Sequence, residues 1–194
     1  MSVFHAARRS LARGLYTLVR TVAPIAYAQD GLISLHSHAF MQDPAFIEAY
    51  ARGVQAIGGT DTYGWHWRIH IGLWAAGIGS RLQGDFVECG VNKGFLSSAI
   101  MQFLGWNSLD RDFYLLDTFA GLDERWVSAE ERSAGALRKN ADNLRRGFYV
   151  HGVEGVRANF AQWPRARIVQ GSIPETLEQV TARQIAQPPK NPSR

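Results

Sequence analysis

Between Asp85 and Asp117 the sequence runs strand, glycine-bearing turn, helix, strand, and that order leaves few folds open. Asp85-Phe86-Val87-Glu88-Cys89 is a short apolar run suited to a buried strand, and Gly90-Val91-Asn92-Lys93-Gly94 follows it as a turn. Phe95, Leu96, Ala99, Ile100, Phe103 and Leu104 recur at helical spacing as far as Gly105, and Asp112-Phe113-Tyr114-Leu115-Leu116-Asp117 reads as a second strand. Two strands joined through a helix pair in parallel with a right-handed crossover. A polar helical region over 129–144, a helix carrying Val153, Val156 and Phe160, and a third strand at Arg167-Ile168-Val169-Gln170 continue the alternation. Ser172 and Glu175 are spaced as a capping box around Pro174, starting a helix through Leu177 and Val180. The expected class is α/β with a doubly wound sheet.

Upstream the chain reads as helical. Asp43-Pro44 supplies an N-cap and a first-turn proline, Phe46, Ile47, Tyr50, Val54 and Ile57 form the apolar stripe, and Gly58-Gly59 ends the helix. A second helix is expected from about Gly64 to Leu82, with Trp67, Ile71, Trp74, Ile78 and Leu82 as its core face. At 194 residues and 46% hydrophobic content the chain suits one globular domain with a sizeable core. Cys89 is the single cysteine, so no internal disulfide forms and a reducing cytoplasm is the expected location; the residue itself reads as a small buried member of its strand.

The net charge of +4 lies in residues 1–29, which hold Arg8, Arg9, Arg13 and Arg20 and no acid, while the rest of the chain is balanced. A nucleic-acid-binding domain would carry its excess on the body, so no nucleic-acid partner is expected. Phe4, Ala7, Leu11, Leu15, Leu18 and Val22 share one helical face beside those arginines. Such a basic amphipathic helix suits packing on its own domain or on a second copy, hence a possible homo-oligomer, better than a membrane surface, because the stripe is narrow. Ala26-Tyr27-Ala28 resembles a signal cleavage site, but Arg13 and Arg20 interrupt the apolar run that export needs. No stretch approaches the roughly 20 apolar residues that span a bilayer.

In an open α/β sheet the ligand sits beyond the carboxyl ends of the strands, so Glu88 to Gly94, Asp117 to Leu122, and Gly171-Ser172 are the segments that matter. The first is neither a dinucleotide fingerprint, since Asn92 and Phe95 stand where glycines are required, nor a phosphate-binding loop, since no Gly-Lys-Ser or Gly-Lys-Thr closes it. Glu88 would repel a pyrophosphate and favour a ligand bearing an ammonium or sulfonium cation. Asp117 is placed to accept from both hydroxyls of a ribose. The alternatives are a strand-end acid capping the next helix, for Glu88, and a turn former before Gly121, for Asp117. His66 and His70 are four apart, but Trp67 stands where a zinc protease needs its glutamate; His36 and His38 are two apart in a loop, and neither pair has a third ligand nearby. No metal site is expected.

Phe86-Val87-Glu88-Cys89-Gly90-Val91-Asn92-Lys93-Gly94 and Phe113-Tyr114-Leu115-Leu116-Asp117-Thr118-Phe119-Ala120-Gly121-Leu122 resemble class I S-adenosylmethionine-dependent methyltransferases. More narrowly they resemble the macrocin O-methyltransferase family, which methylates sugar hydroxyls, over roughly Thr62 to Val180 and including Arg167 to Leu177. The resemblance implies a Rossmann-like sheet whose cofactor is S-adenosylmethionine. It implies that Glu88 and Gly90 line the methionine part, with Asn92 and Gly94 also among the cofactor-binding residues, that Asp117 binds the ribose, that Thr118 and Phe119 border the adenosine, and that Ser172 lies near the adenine. Arg68 and His70 would lie close to the cofactor's carboxylate, and the acceptor would be a hydroxylated small molecule.

The resembled enzymes hold a magnesium ion on aspartates after their fourth and fifth strands, whereas no acid follows Glu178 here. Three of the usual seven strands are expected, in a sheet truncated after the third, which leaves the Asp85–Cys89 strand with one edge and one face uncovered. The expected organisation is a basic amphipathic segment at 1–29, a helical lead-in at 30–83, an incomplete cofactor-binding region at 84–182, and a polar proline-rich tail at 183–194. The expected function is that of a catalytically impaired O-methyltransferase with no catalytic base assigned. The rivals are a non-catalytic S-adenosylmethionine-binding or interaction module and, more weakly, a nicotinamide-dependent oxidoreductase.

Overall fold

In a computed structural model of the chain the described residues are 25–180; the expected apolar stripe from Phe4 to Val22 and the expected tail at 183–194 lie outside them. The described elements are β1 (Tyr27–Gln29), β2 (Leu32–Ser34), α1 (Pro44–Ala56), α2 (His66–Gly79), β3 (Phe86–Cys89), α3 (Phe95–Phe103), β4 (Phe113–Asp117), α4 (Ala129–Ser133), α5 (Ala136–Arg145), α6 (Glu154–Phe160) and β5 (Ala166–Gln170). β3, β4 and β5 form a parallel sheet in that order, with Phe86 opposite Phe113 and Leu115 opposite Ile168. This is the α/β arrangement expected. The central strand is the apolar one: Phe113, Tyr114, Leu115 and Leu116 are all buried, as a parallel strand covered on both faces requires.

β3 is not buried as its apolar run alone suggests; among the described residues it has the uncovered edge and face expected of it. Phe86 and Glu88 are half-buried, but Val87 and Cys89 are exposed, so Cys89 is a surface thiol rather than a core residue. The cause is position: β3 is an edge strand among the described residues, and one of its faces carries no covering element there.

α1 begins as its sequence dictates, with the Asp43 carboxylate accepting from the amide of Ala45 at 2.8 Å and Pro44 in the first turn. It packs chiefly on α3. That contact depends on Gly53, where a Cβ would sit 2.6 Å from the Phe95 ring, and it turns Ile47 outward while Phe46 and Ala49 are buried.

α2 reverses its expected orientation. Ile71, Trp74, Ile78 and Leu82 are exposed, Trp74 by 64%, and the buried stripe is Ile69, Leu73 and Ala76. The helix is apolar around most of its circumference, so periodicity alone offers two stripes. The one carrying small residues wins because it allows close approach: a Cβ at Gly72 would meet Leu96 at 2.5 Å.

Three further differences are local. The lead-in opens with an antiparallel hairpin pairing Tyr27 with Ser34, which the sequence reading does not contain. Its anchor is Tyr27, 5% exposed, whose hydroxyl donates to the carbonyl of Gly64 at 2.6 Å. The helical region at 129–144 is broken into α4 and α5 at Gly135, which has φ +85°. The capping box forms at Ser128 and Glu131, not at Ser172 and Glu175, because the Ser172 hydroxyl donates to Asp123 instead. No described helix is long and apolar enough to cross a membrane.

Candidate functional site

Two cavities open at the carboxyl ends of the strands and meet at the turn after β3, since Gly90, Asn92 and Tyr149 line both. The smaller, about 410 Å³, lies over the ends of β4 and β5 and is lined by Asp117, Thr118, Gly121, Asp123, Trp126 and Ser172 among others. The larger, about 760 Å³, runs from β3 toward α2 and contains Glu88, Lys93, Asp30, Arg68, Tyr63 and Trp65. A strand-end crevice of this kind is where open α/β sheets bind ligands.

The turn itself is a cross-braced loop. Asn92 has φ +51°, and its backbone amide donates to Asp117 Oδ2 at 2.7 Å. Its side chain donates to the carbonyl of Phe148 at 2.9 Å and accepts from the amide of Val150 at 2.8 Å. Asn92 is therefore a staple between the turn and the segment after α5. Gly94, at φ +87°, starts α3 with its missing Cβ against the Phe160 ring, 2.5 Å away if built.

Asp117 ends β4 as the sequence reading expects, and its two oxygens are already engaged. Oδ1 accepts from the amide of Phe119 at 2.7 Å, and Oδ2 takes the Asn92 amide. Each carboxylate oxygen retains acceptor capacity toward the cavity. Thr118 lines that cavity and donates to the carbonyl of Gly121 at 2.5 Å. Phe119 does not border either cavity: it adopts φ +51° and its side chain is fully buried in the core. The left-handed turn directs the ring inward and the amide onto Asp117, so its contribution to the site is that amide.

Glu88 is half-buried at the end of β3 and accepts a short hydrogen bond from the hydroxyl of Ser97 on α3. Burial pushes its carboxyl up to about 7, opposed by the Ser97 hydroxyl and assisted by the negative charge of Asp117. Arg68 lines the larger cavity, with its guanidinium bidentate on Asp30 at 2.8 to 3.0 Å. His70 instead stacks on Phe40 at 4.0 Å, and burial lowers its pKa. His66 stacks on Tyr50 at 4.4 Å.

Sequence reasoning missed Asp123 and Tyr149. Asp123 is held well below the usual carboxylate range by hydrogen bonds from Arg125 and then from Ser172, so it ties the loop after β4 to the loop after β5. Arg125 extends this tie to Glu175 at 3.4 Å. The signal available was an Asp-x-Arg spacing in a polar loop, which by itself says nothing of a partner 49 residues away.

Among the described residues no group of three or more His, Cys, Asp or Glu side chains is disposed to hold a metal ion.

No family model matches the sequence, and no curated protein does. Among solved structures the chain is similar to the O-methyltransferase NovP, with 24% identity and a TM-score of 0.41, over 54% of this chain and 44% of that one. The chain thus spans less than half the length of that protein.

Proposed function

We propose that the two cavities bind S-adenosylmethionine across the Gly90–Asn92 turn and that the chain belongs functionally with methyltransferases acting on a hydroxylated small molecule. The observation that carries this reading is the placement of one strand-end acid in each cavity, Glu88 in the larger and Asp117 in the smaller, on either side of a shared glycine turn. Adenosine would occupy the smaller cavity, with the ribose hydroxyls on Asp117 and the base between Ser172 and Trp126. The amino-acid part would occupy the larger, its ammonium on Glu88 and its carboxylate toward Lys93 and Arg68. Bound there, S-adenosylmethionine would supply a methyl group on a sulfonium for transfer to a nucleophile.

A dinucleotide fits less well. The acid at the end of β3 opposes a pyrophosphate, and the Asn92 amide that could receive a phosphate oxygen is taken by Asp117.

One observation favours the non-catalytic reading of the same site. Every carboxylate lining the two cavities has a partner within the protein: Asp30 with Arg68, Glu88 with Ser97, Asp117 with two amides, Asp123 with Arg125, and Glu131 with the amide of Ser128. A hydroxyl acceptor has to lose a proton, and none of these groups is idle.

Calorimetry on the full chain with S-adenosylmethionine, S-adenosylhomocysteine and a nicotinamide dinucleotide tests the binding reading. Binding of the first two alone supports it, and binding of the dinucleotide alone overturns it. Release of S-adenosylhomocysteine in the presence of hydroxylated sugars separates the enzyme from the binding module.

A further inference from the structure

Ser97 lies in the first turn of α3, is fully buried, and does not cap its helix, whose N-cap is Gly94. A buried hydroxyl in a helix needs an acceptor, and that of Ser97 is the Glu88 carboxylate across the β3 and α3 interface. We propose that Ser97 is a positioning residue whose hydroxyl holds the Glu88 carboxylate in the orientation and charge state that receive a ligand ammonium. This rests on the cofactor reading given above.

The physical argument concerns which groups act on Glu88. Burial favours its protonated form, and so does Asp117 from β4; the Ser97 hydroxyl favours the ionised form. The remaining charges around the larger cavity come from other elements: Lys93 on the turn, Arg146 after α5, and Arg68 with its neighbour Asp30, which largely neutralise one another. Without the hydroxyl, Glu88 keeps its proton to higher pH and can rotate out of line. A neutral carboxyl carries no charge for an ammonium and gives up the charge-assisted part of the bond.

The test is the pH profile of binding, measured by calorimetry on the full chain for the wild type, Ser97→Ala and Ser97→Thr. Two probes are used: S-adenosylhomocysteine, which carries the ammonium, and 5′-methylthioadenosine, which lacks it. The expected result is that S-adenosylhomocysteine affinity weakens as pH falls, with the midpoint displaced upward by roughly one to two pH units in Ser97→Ala. Ser97→Thr, which restores the hydroxyl, is expected to return the midpoint toward the wild-type value. The 5′-methylthioadenosine profile should not move in any variant. Superimposable profiles for wild type and Ser97→Ala would overturn the proposal, as would a parallel displacement for both probes, which marks general damage to the pocket. If the wild type binds neither probe at any pH, the cofactor reading fails first and takes this proposal with it.

Discussion

Asp117 Oδ2 and the backbone amide of Asn92 lie 2.7 Å apart, so the carboxyl end of β4 is fastened to the turn that leaves β3. The same carboxylate accepts from the amide of Phe119 at 2.7 Å. Both amides belong to residues at φ +51°, a conformation that side-chain-bearing residues adopt only when their surroundings hold them there. One acid thus stabilises two unfavourable turns as well as facing a cavity.

Asp117→Ala should therefore lower stability in the absence of any ligand. Two half-buried amides lose their acceptor, at about 1 to 3 kcal/mol each. Asp117→Asn retains one oxygen and is expected to lose about half as much. Urea unfolding of the two variants reads this directly, and equal stability of all three proteins would show that the turns hold themselves.

Because that variant damages the loop, the ribose role has to be probed from the ligand's side. Adenosine-type ligands lacking the 2′- or 3′-hydroxyl should bind the wild-type protein roughly ten- to a hundredfold more weakly, the effect of one lost hydrogen bond to a charged acceptor. Equal affinities for the deoxy and parent nucleosides would remove Asp117 from the ribose.

Gly90 and Gly94 separate backbone strain from crowding. Their φ values are +89° and +87°, yet a Cβ at Gly90 meets nothing within 4 Å and one at Gly94 would meet Phe160 at 2.5 Å. Gly90→Ala should cost only the left-handed term, about 1 to 2 kcal/mol. Gly94→Ala adds overpacking of a buried aromatic and should cost about 1 to 3 kcal/mol more. Thermal unfolding of the pair gives the difference, and equal losses would mean that Phe160 moves aside freely.

The sheet, its strand order of appearance and the acids at the strand ends were legible because apolar runs bounded by glycines are local signals. Asp43-Pro44 located the start of α1 for the same reason. What was not legible depends on partners distant in sequence. Whether Ser172 caps a helix or serves Asp123 is decided by a loop 49 residues earlier. Which stripe of α2 is buried is decided by Leu96 meeting Gly72. Phe119 and Cys89 are the same lesson at single residues: a backbone dihedral turned one inward, and an edge position left the other outside.

The inverted face of α2 has a measurable consequence. Trp74→Ala removes a side chain that is 64% exposed and should change stability by less than about 0.5 kcal/mol. Trp106→Ala removes a fully buried ring packed edge-on against Phe86 at 5.1 Å and should cost about 3 to 5 kcal/mol. A large loss at Trp74 would place that residue back in a core, as its spacing first suggests.

The pH dependence of stability follows from Glu88. Its carboxyl is raised from 4.5 to about 7 in the folded chain, so between those values the native state holds a proton that the unfolded chain has released. Stability from this group is therefore fully present below about pH 4.5 and is lost as pH rises through about 7. The loss amounts to roughly 3 kcal/mol at mildly alkaline pH, at 1.36 kcal/mol for each unit of displacement. Glu88→Gln carries no such charge and can still accept from Ser97, so it should equal the wild type near pH 4 and exceed it in stability above pH 7. Denaturant unfolding of both proteins from pH 4 to 8.5 measures the divergence. Curves that stay parallel over that range would mean that Glu88 ionises in the folded protein as readily as in the unfolded chain, and that neither its burial nor the charge of Asp117 acts on it.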